Sequence, residues 1–249
     1  MSILFFKCGQ RESDMCVLKF RSITCLAVCA LGIWASNVVA ATTTEGYSAK
    51  PIHAVKTQQK IVALTFDDGP SKPYTDQILN ILDRHNVKAT FFVVGMNIKR
   101  YPDMIQKIMK KGHDIGNHSM YHDKLNKLPV EKITKDIAGV DKLLRAQGYD
   151  KEIFFRAPYG LLSQNLESAL AQLHKRHVLF DFLPKDWENP APQVIHDRVL
   201  QRAKPGFIIT LHDGWDHREN TVKATEMIIQ SLQAKGYRFV TATELLNAK

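Results

Sequence analysis

The sequence predicts an α/β domain, a mainly parallel sheet covered by helices, either closed as an irregular barrel or open as a doubly wound sheet. Two observations carry this prediction. From Ile61 onward, short apolar runs rich in β-branched residues alternate with stretches of helical period, which is the pattern of parallel strands joined by crossover helices. The chain is also long enough, at 249 residues with 45% apolar and 24% charged, to bury a large core without disulfides or a structural metal.

The elements follow in order. Ile61 to Phe66 is a buried strand stopped by Asp67-Asp68-Gly69-Pro70. Tyr74 to His85 is helical, with Ile78, Ile81 and Leu82 on one face, and Ala89 to Val94 is a second strand. Pro102 suits the first turn of a helix that runs to Lys111 and is closed by Gly112. His113 to Gly116 is short and strand-like. Val130 to Gln147 carries Ile133, Ile137, Val140, Leu143 and Leu144 on one stripe, and Gly148 ends it. Strands are expected at Ile153–Phe155, Val178–Phe182 and Phe207–Leu211, with helices at about 164–175, 191–203 and 221–235, and a last strand at Arg238–Val240. In either closure, functional groups collect where strand C-termini meet loops.

The N-terminal segment has a different character. All four cysteines (Cys8, Cys16, Cys25, Cys29) lie within it, so the body has no disulfide framework. Lys19 and Arg21 precede the apolar run Ile23 to Ala35, and Val38-Val39-Ala40 supplies small residues for cleavage. This is the layout of a secretory signal peptide over residues 1–40 with an overlong leader; starting at Met15 gives a more usual length. The competing reading is an uncleaved anchor, because Ser22 to Ala41 has no charge and is long enough to span a bilayer. Membrane contact is expected only in that case, and both readings place the body outside a membrane. Residues 41–60 are polar and aperiodic and read as a linker to a domain over 61–249.

Residues 1–40 hold four basic and two acidic side chains, so the rest of the chain keeps a formal charge of +7. That balance suits anionic partners such as cell-wall polymers or lipid headgroups. No basic run interleaved with aromatics points to nucleic acid. Composition excludes wholesale disorder, a collagen-like fibre and a polytopic membrane protein, and nothing in the pattern bears on oligomeric state.

Two segments carry chemistry. Asp67 and Asp68 put neighbouring carboxylates at a strand's C-terminal end, where Gly69-Pro70 turns the chain so that both can serve one cavity. His118 and His122, four apart, read as one side of a helical turn. Two imidazoles and a carboxylate form a three-ligand set that leaves a metal position open for water, and the second carboxylate is then free to act as base.

Thr65-Phe66-Asp67-Asp68, His118-Ser119-Met120-Tyr121-His122, Phe155-Arg156-Ala157-Pro158-Tyr159-Gly160, Asp186-Trp187 and Thr210-Leu211-His212 resemble, in order, the five motifs of the polysaccharide deacetylases, the NodB homology domain of carbohydrate esterase family 4. The resemblance spans residues 61 to 212 and implies an irregular, seven-stranded (β/α) barrel. It implies that Asp68, His118 and His122 hold one divalent ion, Zn²⁺ first and Co²⁺, Ni²⁺ or Mn²⁺ as alternatives. Asp67 would be the general base, and Arg156 would pair with it and keep it ionised. The backbone N–H of Tyr159 would stabilise the oxyanion, with Tyr159 also touching substrate. His212 would protonate the leaving amine, oriented by Asp186. Trp187 and Leu211 would shape the acetyl pocket, and Trp215 could stack on a sugar ring.

Two departures stand out. Ala157 replaces a usual proline, and the spacer between Asp181 and Asp186 is longer than the family's. The function implied is a secreted, metal-dependent hydrolase that removes N-acetyl groups from N-acetylglucosamine-type polysaccharide or oligosaccharide, peptidoglycan or chitin-like. The alternatives are an acetylxylan-type O-acetyl esterase and a non-catalytic carbohydrate-binding pseudoenzyme. The latter would have lost a ligand, base or acid, and every one is present.

Overall fold

The computed structural model describes residues 50–248, so residues 1–40, where the sequence leads one to expect a signal peptide, and the first part of the expected linker lie outside the described residues. The described sheet has five parallel strands: β1 (Ile61–Asp67), β2 (Thr90–Val93), β3 (Asp114–Asn117), β4 (Ile208–His212) and β5 (Arg238–Val240). β1 is central. β4 pairs along one side of it, while β5 and β2 pair with its N-terminal and C-terminal halves respectively. β3 continues the sheet beyond β2. Every residue of β1 is buried, which explains the apolar run Ile61-Val62-Ala63-Leu64, because a strand covered on both faces needs no polar alternation.

Single bridges close the ring. Asn117 pairs with Phe155, Phe155 with His177, Val178 with Ile52, and Ala54 with Phe207 at the start of β4. The barrel therefore has seven staves, four of them laddered and three held by one or two residues, and β5 lies alongside the lower half of β1. The expected strands at 153–155 and 178–182 shrink to bridges. Residues 52–54 supply a stave although the sequence reads 41–60 as linker. Ile52 N–H donates to His177 O at 2.8 Å, and Ile52 O accepts from Leu179 N–H at 2.8 Å. Gly206 makes the seam feasible, since a Cβ there would fall 1.7 Å from Val55 O.

Among the described residues eight α-helices cover the ring: α1 (Tyr74–Arg84), α2 (Gly95–Arg100), α3 (Pro102–Lys110), α4 (Val130–Ala146), α5 (Gln164–Gln172), α6 (Pro192–Leu200), α7 (Glu219–Ala234) and α8 (Ala242–Asn247). Pro102 and Pro192 occupy first-turn positions, and Ser163 and Thr241 cap α5 and α8 by accepting from Leu166 N–H and Glu244 N–H. The amphipathic stripe of α4 packs as its spacing requires, with Ile133, Ile137, Val140 and Leu144 buried. The main core joins Leu64 and Phe66 of β1 to Phe91, Ile209, Leu211, Ile228 and Ile229. Among the described residues no helix is long and apolar enough to cross a membrane.

Candidate active site

The C-terminal ends of β1, β3 and β4 converge on one cavity of about 490 Å³, walled by Asp67, Asp68, His118, His122, Tyr159, Trp187, His212 and Trp215 together with Ala157, Gly160, Phe180, Leu183 and Arg218. Backbone at this rim is unusually contorted. Asp68, Ser119, His122, Tyr159 and Trp215 all have positive φ without being glycine, a costly conformation that concentrates at functional sites.

The kink at Asp68 (φ 74°) lets two adjacent carboxylates serve one cavity. Asp67 ends β1 directly opposite His212 of β4. Its Oδ1 accepts a 2.6 Å hydrogen bond from Arg156 Nη1, which also donates to Thr65 Oγ1 at 2.8 Å. Arg156 is wholly buried, although a surface position would be usual for its type. Its Nε donates to Val178 O at 3.1 Å, and its guanidinium lies 4.0 Å from the Phe92 ring centroid. Burial pulls this guanidinium below its ordinary pKa, and the Asp67 carboxylate opposes the shift.

His118 and His122 do not share a helical turn. They sit in a loop after β3 that side chains tie into shape. Asn117 Oδ1 accepts from Ser119 N–H at 2.9 Å, Ser119 Oγ from His122 N–H at 3.0 Å, and Asp136 Oδ1 on α4 from Met120 N–H at 2.8 Å. The imidazoles end with ring centroids 5.0 Å apart. Asp68 Oδ1 lies 3.4 Å from His118 Nε2 and 3.1 Å from His122 Nε2, and the ligand atoms of the three residues fall within 4.8 Å of one another.

A cation fits this set. Asp68 Oδ1 is buried without a properly aligned hydrogen bond, despite those short approaches. His118 Nδ1 lies 2.8 Å from Arg156 O, which can only accept, so Nδ1 donates there and Nε2 is the ring atom turned toward Asp68. Burial would raise the Asp68 pKa, but His118 and His122 beside it hold it well below the usual carboxylate range. A carboxylate and two imidazoles suit Zn²⁺ and similar ions.

Across the cavity, His212 Nδ1 is 2.8 Å from Asp186 Oδ1, and the backbone N–H of His212 donates to Asp186 Oδ2 at 2.8 Å. Thr221 Oγ1 of α7 donates to the same Oδ2 at 3.1 Å. Asp186 opens a short 3₁₀ turn, Asp186–Glu188, flanked by left-handed Lys185 and Asn189. Burial alone would lower the His212 pKa, but Asp186 first, then Asp68 and Asp67, raise it to about 9.

Trp187 meets His212 edge-on at 5.1 Å, and Trp215 meets His122 edge-on at 6.1 Å; both tryptophans are exposed. Tyr159 lies 4.6 Å from His122 between ring centroids. Leu211 does not reach the cavity. It is fully buried in the main core, because successive side chains of β4 face opposite ways and His212 takes the cavity side. Phe180 and Leu183 form the apolar wall instead.

Sequence reasoning also missed Arg218 and Asp213. Asp213 is wholly buried behind the site, and Thr75 Oγ1 donates to its Oδ2 at 2.5 Å. Burial pushes its pKa up against the Thr75 bond, with Asp68 and Asp67 adding to the rise, to about 7.

Comparison with known proteins identifies the family. Residues 54–178 match the family model described as polysaccharide deacetylase. A peptidoglycan-N-acetylglucosamine deacetylase of Bacillus cereus is 37% identical over 197 residues, covering 78% of this chain and 92% of the relative. A chitooligosaccharide deacetylase of Sinorhizobium fredii is 33% identical over 187 residues, covering 71% and 87%. The solved structure of the Bc1960 peptidoglycan N-acetylglucosamine deacetylase, bound to a hydroxamate (4-naphthalen-1-yl-N-oxidanyl-benzamide), superposes with a TM-score of 0.76 at 32% identity, covering 80% of this chain and 92% of that one. The chain belongs to the polysaccharide deacetylases, the carbohydrate esterase family 4 hydrolases built on the NodB homology domain.

Proposed function

We propose that this protein is an exported, divalent-metal-dependent hydrolase that removes N-acetyl groups from N-acetylglucosamine-type glycans, peptidoglycan or chitin-like. One observation carries the reading. Three potential ligand atoms, from Asp68, His118 and His122, converge in a cavity that also holds a carboxylate paired with a buried guanidinium and an imidazole–carboxylate pair. The relatives named for peptidoglycan and chitooligosaccharide deacetylation support the substrate class.

Asp68, His118 and His122 would hold the ion, which supplies Lewis acidity, polarising a carbonyl oxygen and acidifying water. Asp67 takes the proton of the attacking water, its Oδ1 held by Arg156 so that the carboxylate stays aimed. The Tyr159 backbone N–H supports the developing oxyanion. His212 is cationic at neutral pH and gives its proton to the departing amine, while Asp186 holds its Nδ1 and so leaves Nε2 to face the cavity. Trp187, Phe180 and Leu183 bound the space for the acetyl methyl, and exposed Trp215 and Tyr159 offer rings to the sugar.

Acetate release from a panel of chitooligosaccharides, peptidoglycan and acetylxylan, with and without chelator, tests this reading. Chelator-sensitive acetate from the amino-sugar substrates is expected; acetate from acetylxylan alone would replace the amidase with an esterase. Export with processing near Ala40 belongs to the same proposal, and N-terminal sequencing of protein from the native host tests it, an intact Met1 or Met15 counting against cleavage.

A further inference from the structure

β3 ends on Asn117, a wholly buried residue that reaches both metal-site imidazoles at one remove. Its backbone O accepts from Arg156 N–H at 2.9 Å, and Arg156 O in turn accepts from His118 Nδ1. Its side-chain Oδ1 accepts from Ser119 N–H, and Ser119 Oγ accepts from His122 N–H. This relay needs the Asn117 amide to point one way, with Oδ1 toward Ser119 and Nδ2 elsewhere.

What fixes that direction lies outside the cavity. Nδ2 donates to two acceptors on α4, Ile137 O at 2.8 Å and Asp141 Oδ1 at 2.9 Å. Ile137 lies inside α4, where the helix ladder already uses its carbonyl, so Asp141 is the acceptor with capacity to spare. The second oxygen of Asp141, Oδ2, is 2.5 Å from Lys175 Nζ. Lys175 is only 8% exposed, and its Nζ also donates to Ile153 O at 2.8 Å. The carboxylate is thus held by the ammonium through one oxygen and presents the other to Asn117. An amide in its place has a single oxygen and can keep only one of those two contacts as placed.

We propose that Asp141 and Lys175 are positioning residues for the metal centre: the ion pair orients the Asn117 amide, and through Ser119 that amide sets the placement of His118 and His122. The inference rests on the metal-site reading above and extends it to two residues that do not line the cavity. Hydrogen-bonded partners behind metal ligands carry about 10- to 100-fold of metal affinity.

The test is competition for Zn²⁺ between the full-chain holoenzyme and a chromophoric chelator, read at equilibrium and well below the unfolding temperature of each variant. Asp141→Asn should weaken Zn²⁺ binding about 10-fold, the lower end of that range, since it acts through Asn117. Lys175→Met should shift affinity in the same direction and by less. Asn117→Ala should lose up to about 100-fold, and adding Asp141→Asn to it should cost no further affinity, because the carboxylate has no amide left to orient. Wild-type affinity in Asp141→Asn, even with a lower Tm, would make the ion pair a structural brace and overturn the proposal. So would losses that add in the double variant. If Asn117→Ala does not fold, Asp141→Asn and Lys175→Met decide against wild type on their own. Wild-type protein that takes up no Zn²⁺ would instead refute the metal-site reading, and this inference with it.

Discussion

Replacing Arg156 by methionine isolates the electrostatic part of the site from the space it fills. The guanidinium is fully buried, so the substitution leaves Asp67, itself only 2% exposed, as an uncompensated buried charge. Breaking a buried ion pair from one side costs about 3–5 kcal/mol. Thr65 Oγ1 and the carbonyl of Val178 also lose their donor, each worth on the order of 1 kcal/mol, and these losses overlap rather than add. The methionine recovers part of the packing on Phe92. The net expectation is about 4 kcal/mol, a large share of the 5–15 kcal/mol typical of a domain, and a Tm lower by about 8–16 °C. Urea unfolding of metal-free protein measures it without linkage to the ion. Adding Asp67→Asn to Arg156→Met removes the orphaned charge and should restore part of the loss. A single variant within about 1 kcal/mol of wild type would show that the pair is not held in a dry environment, and the reasoning would fail.

Three further outcomes follow from the geometry. His212 in the metal-free protein titrates at about 9 against an ordinary value near 6.5. A raised pKa stabilises the fold fully below about pH 6.5, and that stabilisation is lost as pH rises through about 9; wild type should therefore lose about 3 kcal/mol across this window relative to His212→Gln, and parallel pH–stability curves would refute the assignment. Chelation should abolish acetate release yet leave one cooperative unfolding transition, because the core closes without the ion; unfolding on chelation would make the metal structural. Gly214→Ala should weaken Zn²⁺ binding about 10- to 100-fold by pushing on the Asp68 backbone, and unchanged affinity by calorimetric titration would contradict the packing.

What was legible in the sequence was whatever local pattern determines. The apolar run of β1, the stripe of α4 and Pro102 announce their elements because burial and capping act on near neighbours. The Asp67–Asp68 step is readable for the same reason, since it ends a buried strand. The stave at 52–54 is not, because Pro51-Ile52-His53-Ala54 shows no alternation and its bonds go to residues more than a hundred positions away. The loop shape that brings His118 and His122 together depends on Asn117, Ser119 and Asp136, so four-residue spacing suggested a helical turn that does not form. Leu211 was a readable error. With His212 facing the cavity, strand alternation already sends its neighbour to the core. Arg218 lies in a polar loop with no periodicity, and only the fold reveals that it is buried in the cavity wall.

The central claim is that two adjacent carboxylates have different tasks, Asp68 binding the ion and Asp67 moving a proton. Measuring bound metal and acetate-release kcat on the same preparations of Asp67→Asn and Asp68→Asn tests it most directly. Asp67→Asn should retain a full equivalent of metal and lose turnover by about 10²- to 10⁴-fold, the usual worth of a general base. Asp68→Asn should lose metal and turnover together. Loss of metal from Asp67→Asn as complete as from Asp68→Asn would contradict the division of roles, as would an Asp67→Asn enzyme that keeps its rate.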